Sequence, residues 1–205
     1  MINKKLPFKI LSSEKAANSR IISIKIKIYD QIYKIINIYA HAGDAKERES
    51  LITNELPYYV RNSLKYTFIG GDFNCVISER DTESKKASIS KSLLHFIRTL
   101  QLKDLWFAKN NHIEYTYVRE NFGARIDRIY ARDLYNNVKS IKAIHVNFSD
   151  HSSIITEIET SNIPKTGKFY WKLNTSILEL EDIEDLFKTE WEIIKTSKNN
   201  YRNIN

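Results

Sequence analysis

The sequence predicts a mixed α/β sandwich, and three observations lead to it. An alternating run of isoleucines opens a hairpin, five further short strand-like runs are spread along the chain, and only two helical segments lie among them. A regular parallel α/β unit would set a helix after nearly every strand.

From Ile22 to Ile28 the alternation puts Ile22, Ile24, Ile26 and Ile28 on one face and Ser23, Lys25 and Lys27 on the other, which is the pattern of a half-buried antiparallel strand. Asp30-Gln31 makes a short turn, and Ile32–Ala40 is rich enough in β-branched and aromatic residues to be the returning strand. Ala45–Leu56 is charged and lacks Gly and Pro. Leu51, Ile52 and Leu56 give it a helical stripe, which Pro57 interrupts. Tyr66–Gly70 reads as a buried strand entering a tight loop at Gly70-Gly71. Ser90 caps a helix in which Leu93, Leu94, Ile97 and Leu100 recur at helical spacing. Tyr115–Arg119 and Arg125–Ala131 are strand-like runs separated by a polar loop with Gly123, and Ile141–Val146 and Ile154–Ile158 flank the polar break Asn147–Ser153. After Thr160 the texture changes to a polar connector, the aromatic stretch Lys168–Leu173 and an acidic amphipathic segment, Leu178–Ile194. The expected division is a domain over 1–160 and a connector with a helix over 161–205.

Composition narrows the function classes. At 42% apolar residues the 205-residue chain can bury a core, and its single cysteine, Cys75, excludes a disulfide-stapled scaffold and suits a reducing compartment. Cys75 itself reads as a small buried hydrophobe. No run reaches the roughly 18 apolar residues of a membrane span, so a soluble intracellular chain without a membrane partner is expected. The net charge of +7 favours a polyanionic partner, yet residues 1–40 hold eight basic residues against two acidic, while 41–160 hold 17 against 16. Charge alone therefore says little about the loops that carry chemistry.

Four segments could carry it. In Gly70-Gly71-Asp72-Phe73-Asn74 a carboxylate and an amide, two apart, leave a strand end where glycines permit close approach; a phosphate or metal site and a self-capped turn both fit. Ser149-Asp150-His151-Ser152 sets a histidine in a polar break, as a general base or as a plain surface loop. Neighbours on a strand point oppositely, so Asp150 is a poor orienting partner for His151. In Arg125-Ile126-Asp127-Arg128-Ile129 a mid-strand Asp127 demands a partner, either a functional one or a cross-strand cation such as Arg119. Tyr39, at the end of Ile35–Tyr39, could bond a phosphate or simply keep its hydroxyl in water. His41, His95, His112 and His145 sit at no metal-ligand spacing.

In order along the chain, Asn-Ile-Tyr-Ala (37–40), Gly-Gly-Asp-Phe-Asn-Cys-Val (70–76), Tyr-Thr-Tyr (115–117) with Arg-Ile-Asp-Arg-Ile (125–129), and Ser-Asp-His-Ser (149–152) resemble the endonuclease/exonuclease/phosphatase superfamily, most closely the apurinic-endonuclease-like domain of non-LTR retrotransposon polyproteins. The resemblance runs from about Arg20 to Leu173, where Lys-Phe-Tyr-Trp-Lys-Leu-Asn (168–174) looks like the connector to a reverse transcriptase. It implies a four-layer, deoxyribonuclease-like α/β sandwich and hydrolysis of a DNA phosphodiester with Mg²⁺ or Mn²⁺ and no small-molecule cofactor, in the nucleus if the chain works as a retroelement protein. By the same resemblance His151 would act at the scissile phosphate, oriented by Asp127. Asp150 would hold metal, Asp72 would move a proton, Asn74 and Tyr39 would bond phosphate oxygens, and Thr116 and Arg125 would contact substrate.

This sequence departs from the family pattern in several places. The family begins with a strand carrying an Asn and a strand-loop carrying a metal-binding Glu. Here only Met1–Ser19 precedes the first hairpin, and Glu14 falls in a polar Ser-Ser-Glu-Lys turn with no strand expected before it. His41 replaces a usual Pro, Ala124 a Ser and Tyr117 a common Trp. The expectation is a domain lacking its N-terminal strands, marginal in stability and impaired in activity, with a non-catalytic nucleic-acid-binding remnant as the alternative. A phosphatase for small or lipid phosphates, the third possibility, is disfavoured by the connector.

Overall fold

The computed structural model describes residues 8–60, 65–84 and 87–159, together with five helical positions at 185, 188, 189, 191 and 192. The chain divides into two compact units, Met1–Ile163 and Pro164–Asn205. Apart from those five positions, the connector and amphipathic helix expected over 161–205 lie outside the described residues.

A six-stranded sheet organises the first unit. Its strands are β1 (Phe8–Lys15), β2 (Ile21–Ile28), β3 (Gln31–Tyr39), β4 (Thr67–Asp72), β5 (Lys103–Asp104) and β8 (Asp127–Ala131), in the order β1-β2-β3-β4-β8-β5. Only β3 and β4 pair in parallel. Helices α1 (Ala45–Ser50), α2 (Leu56–Val60) and α3 (Lys91–Thr99), with the turn Leu51–Glu55 that joins the first two, bury Leu51, Ile52, Leu56, Leu93 and Phe96 with Ile21, Ile36, Ile38 and Ile69 of the sheet. Opposite that core, β9 (Val138–Ile144) and β10 (Ser153–Ile158) form a two-stranded sheet that buries Val138 and Ile141 with Ile26 and Tyr33. A separate hairpin pairs β6 (Tyr117–Arg119) with β7 (Phe122–Ala124). Three of the expected sandwich layers are thus present among the described residues. Cys75 is buried, and burial pushes its thiol up to about 11.

The expected hairpin is β2–β3, but β2 is covered on both faces: Ser23 is 3% exposed, while Ile22, on the face toward the small sheet, is 42% exposed. β2 lies inside the sheet with packed layers on either side, and Ile22 sits at the end the small sheet leaves uncovered. Three expectations need correction. Phe8–Lys15 is a strand, so Glu14 is not in a turn; it pairs with Ser23, which faces the helices. Pro57 does not end the helix: Leu51–Glu55 widens into a π turn, with the Leu56 N–H bonded to the Leu51 carbonyl, and the chain continues through Pro57 into α2. The loop with Gly123 is itself β7. Tyr115 packs so close that a Cβ on Gly123 would fall 2.3 Å from its ring.

Two strands cannot cover six. Between the large sheet and β9–β10 lies an open cleft of about 1220 Å³ lined by Ile26, Ile28, Phe68, Ile129, Ile154 and Ile158, and its rim carries Tyr39, Asp72, Asp127 and His151.

Candidate active site

Strand direction gathers the rim residues. β3 and β4 run parallel, so Tyr39 and Asp72 arrive at the same end in register. β8 starts there and runs the other way, which sets Asp127 directly opposite Asp72. Gly71, with φ of 134°, lets β4 press against β3: a Cβ would lie 2.0 Å from the Ile38 carbonyl oxygen. Beyond the strand Asn74 adopts φ of 48°, a conformation Asn tolerates, and folds back on Asp72. Its backbone N–H donates to Asp72 Oδ1 at 2.8 Å, and its Nδ2 donates to Asp72 Oδ2 at 2.8 Å and to the Ala40 carbonyl at 2.9 Å.

His151 enters from the other sheet, just before β10. Its Nδ1 lies 3.0 Å from Asp127 Oδ2, its backbone N–H donates to Ser149 Oγ at 3.0 Å, and the Tyr117 ring packs 5.0 Å from the imidazole. Nε2 has no hydrogen-bond partner among the described residues. Thr116 ties the two halves of this pair together. Its hydroxyl accepts the N–H groups of Ile126 and Asp127 at 3.1 and 3.0 Å, and its carbonyl accepts the Ser152 N–H at 2.7 Å.

Asp72, Asp127 and His151 therefore converge, with one ligand atom of each within 4.8 Å of the others. Burial, reinforced by the Asp127 charge and opposed by the Asn74 N–H, pushes the Asp72 carboxyl up to about 6. Two carboxylates face each other across the strand pair, which is unfavourable without a nearby cation. The oxygens are hard donors, so the set fits a divalent ion such as Mg²⁺. The raised pKa also bears on stability. A folded value above the ordinary 3.8 means that the proton form favours folding, and this contribution is full below about pH 3.8 and lost as pH rises through about 6. Asp72→Asn in chelator should accordingly melt a few degrees above the parent at pH 8 and level with it at pH 3.5, by thermal scans at both pH values; an advantage that did not shrink on acidification would contradict the burial of that charge.

The other expected site residues fall differently. Arg125 does not face the cleft: it is 1% exposed and grips both oxygens of Asp104 at 2.8 and 2.7 Å, because a buried cation with acidic partners in the interior is held there rather than released to substrate. Thr116, 1% exposed, positions backbone instead of touching substrate. Asn74 has both amide hydrogens committed, so its donors serve Asp72 and the Ala40 carbonyl, leaving none for a phosphate oxygen. Asp150 is exposed and outside the three-residue cluster, anchored through its carbonyl to the Val118 N–H. Asp127 pairs with His151, not with Arg119. Tyr39 is 53% exposed at the rim, with the Arg20 guanidinium 5.3 Å over its ring.

Residues 35–151, which contain every member of this cluster, match the Endonuclease/Exonuclease/phosphatase family. The chain belongs to that family. It is also 28% identical over 205 residues to the transposon TX1 uncharacterized 149 kDa protein of Xenopus laevis, covering 96% of this chain but only 16% of that protein's length. Among solved structures, the endonuclease domain of TRAS1, a telomere-specific non-LTR retrotransposon, superposes with a TM-score of 0.58 at 14% identity, over 73% of this chain and 69% of its own. A family protein from Leptotrichia buccalis gives 0.54 at 19% identity over 74% and 62%. D. rerio TDP2, solved with a single-strand DNA product, gives 0.52 at 16% over 77% and 70%. These likenesses share the deoxyribonuclease-like α/β fold of the family. No helix among the described residues is long and apolar enough to cross a membrane.

Proposed function

We propose that this chain is a divalent-metal-dependent phosphodiesterase of retrotransposon type that nicks DNA. The observation that carries this is the His151–Asp127 pair set beside Asp72 at the mouth of the cleft. Asp127 holds the proton on Nδ1, leaving Nε2 to take a proton from an attacking water or to contact the phosphate. Asp72, with its carboxyl near pH 6, is suited to pass a proton to the leaving oxygen, and Asn74 fixes its two oxygens. The exposed Tyr39 hydroxyl offers a donor to a phosphate oxygen. Asp127, with Asp150 on the adjoining loop, would hold Mg²⁺ or Mn²⁺, which would supply positive charge against the phosphate.

A second reading, nucleic-acid binding without catalysis, has its own support: β1 directs Glu14 toward the helix layer, so that strand brings no carboxylate to the cleft, while β2 carries the partly exposed Lys25 and Lys27. Supercoiled-plasmid nicking with Mg²⁺ separates the two. The chain should nick, and His151→Ala should reduce the rate by about a hundredfold. Equal rates in parent and variant, with salt-sensitive DNA retention unaffected by Mg²⁺ or by Asp72→Ala, would leave the second reading standing and remove the first.

A further inference from the structure

We propose that Glu114, His145 and Ser152 form a positioning relay that aims the His151 imidazole; its kinetic consequence rests on the phosphodiesterase reading, its structural consequence does not. Glu114 Oε1 lies 3.2 Å from His145 Nε2, and His145 Nδ1 is hydrogen-bonded to Ser152 Oγ. A carboxylate on Nε2 keeps the proton there, so Nδ1 presents a lone pair and the Ser152 hydroxyl donates to it. Ser152 is 6% exposed and directly follows His151.

The placement gives these bonds their effect. Residues 147–150 between His145 and His151 are exposed, with Phe148 at 91% exposure. The side-chain bond from His145 to Ser152 closes this segment at its base, and the Ser152 N–H bond to the Thr116 carbonyl fastens the same residue to the segment that holds Asp127. Glu114 stands two residues before Thr116, so one short stretch anchors the base and its orienting acid. An exposed Glu–His pair alone would contribute almost nothing to stability. Here its role is direction: without the relay the residue after His151 keeps only its main-chain tie, and a displacement of about 1 Å at the imidazole is worth up to about a hundredfold in rate.

Substitutions at His145 distinguish aim from bulk. His145→Asn sets an amide oxygen near the place of Nδ1 and can still accept from Ser152, whereas His145→Gln can still donate toward Glu114 but offers Ser152 no acceptor. In the metal-free full chain labelled with ¹⁵N-histidine, the downfield Nδ1–H resonance of His151 should persist in His145→Asn and broaden or vanish in His145→Gln and in Ser152→Ala, with far-ultraviolet dichroism unchanged in all three. In plasmid nicking, His145→Gln and Ser152→Ala should lose about tenfold in kcat with KM held, and His145→Asn should stay within about threefold of the parent. A His151 resonance that survives both His145→Gln and Ser152→Ala, or a His145→Asn chain that behaves like His145→Gln, overturns the relay. If no chain nicks DNA, the phosphodiesterase reading fails, and the resonance alone decides the relay.

Discussion

Asp81→Ala is expected to lower the melting temperature by about 6–20 °C, or to prevent folding at ambient temperature. Asp81 is 2% exposed and lies between two arginines with almost no access to water, Arg125 at 1% and Arg128 at 0%. Its Oδ2 accepts the N–H groups of Ile77 and Ser78 at 3.1 and 3.0 Å and stands 3.0 Å from Arg128 Nη2, a charge contact angled away from hydrogen-bond geometry. Oδ1 lies 3.7 Å from Arg125 Nη1. Asp104 balances Arg125 through a closer, two-oxygen contact, whereas the charge in direct contact with Arg128 among the described residues is Asp81, beside the Cys75 carbonyl, which accepts from its Nη1 at 2.9 Å. Truncation would leave a buried guanidinium without its counter-charge and two partly buried N–H groups without an acceptor. Breaking one partner of such a pair costs about 3–5 kcal/mol, and each kcal/mol moves the midpoint by about 2–4 °C in a chain of this size. Asp81→Asn, which keeps an acceptor and drops the charge, should fall between. A thermal melt of Asp81→Ala within 2 °C of the parent would show that the two arginines find water or another anion.

That network also explains why part of the site was legible in the sequence and part was not. An aspartate inside a strand-like run needs a partner whatever the fold, so Asp127 could be singled out from its neighbours although β8 begins at it, and strand alternation rules against Asp150 as the residue that orients His151. Arg125 gave the opposite impression. An arginine beside a catalytic strand suggests a hand for phosphate, and nothing local says that Asp81 and Asp104, far upstream, fold beneath it. Strands behaved the same way. Ile22–Ile28 declares itself because one face is apolar at every second position. Phe8–Lys15 does not, because it is an edge strand with six of eight positions exposed and a bulge between Ile10 and Ser12; pairing with β2, not burial, makes it a strand. β7 is three residues long and exists through its pairing with β6. Glu114, His145 and Ser152 are separated in sequence and meet only when β9 and β10 are in place, so spacing could not reveal them.

Gly71→Ala should be nearly as damaging as Asp81→Ala, for a reason that joins the fold to the chemistry. At φ of 134° an L side chain is strained whatever the space around it, and here the added Cβ would lie 2.0 Å from the carbonyl oxygen and 3.0 Å from the carbonyl carbon and the nitrogen of Ile38. These are backbone atoms in the middle of the sheet, so no rotamer can relieve the contact, and β3 and β4 must part where Ile38 pairs with Gly71 and Tyr39 with Asp72. Separation there disturbs the core around Ile36, Ile38 and Ile69 and carries Asp72 away from Asp127. Strain at a φ reserved for glycine, added to lost pairing, puts the cost at about 3 kcal/mol or more. Gly70→Ala is the natural contrast. Its Cβ would meet the Arg128 carbonyl at 3.2 Å and an Ile129 side-chain atom at 3.3 Å, a crowding that a small shift absorbs. Gly71→Ala should therefore melt at least about 6 °C below Gly70→Ala and lose the His151-dependent nicking at temperatures where both remain folded. Equal melting temperatures for the two variants would show that β4 can slide from β3 without penalty, and would remove the argument that the glycine is what brings Asp72 to its place.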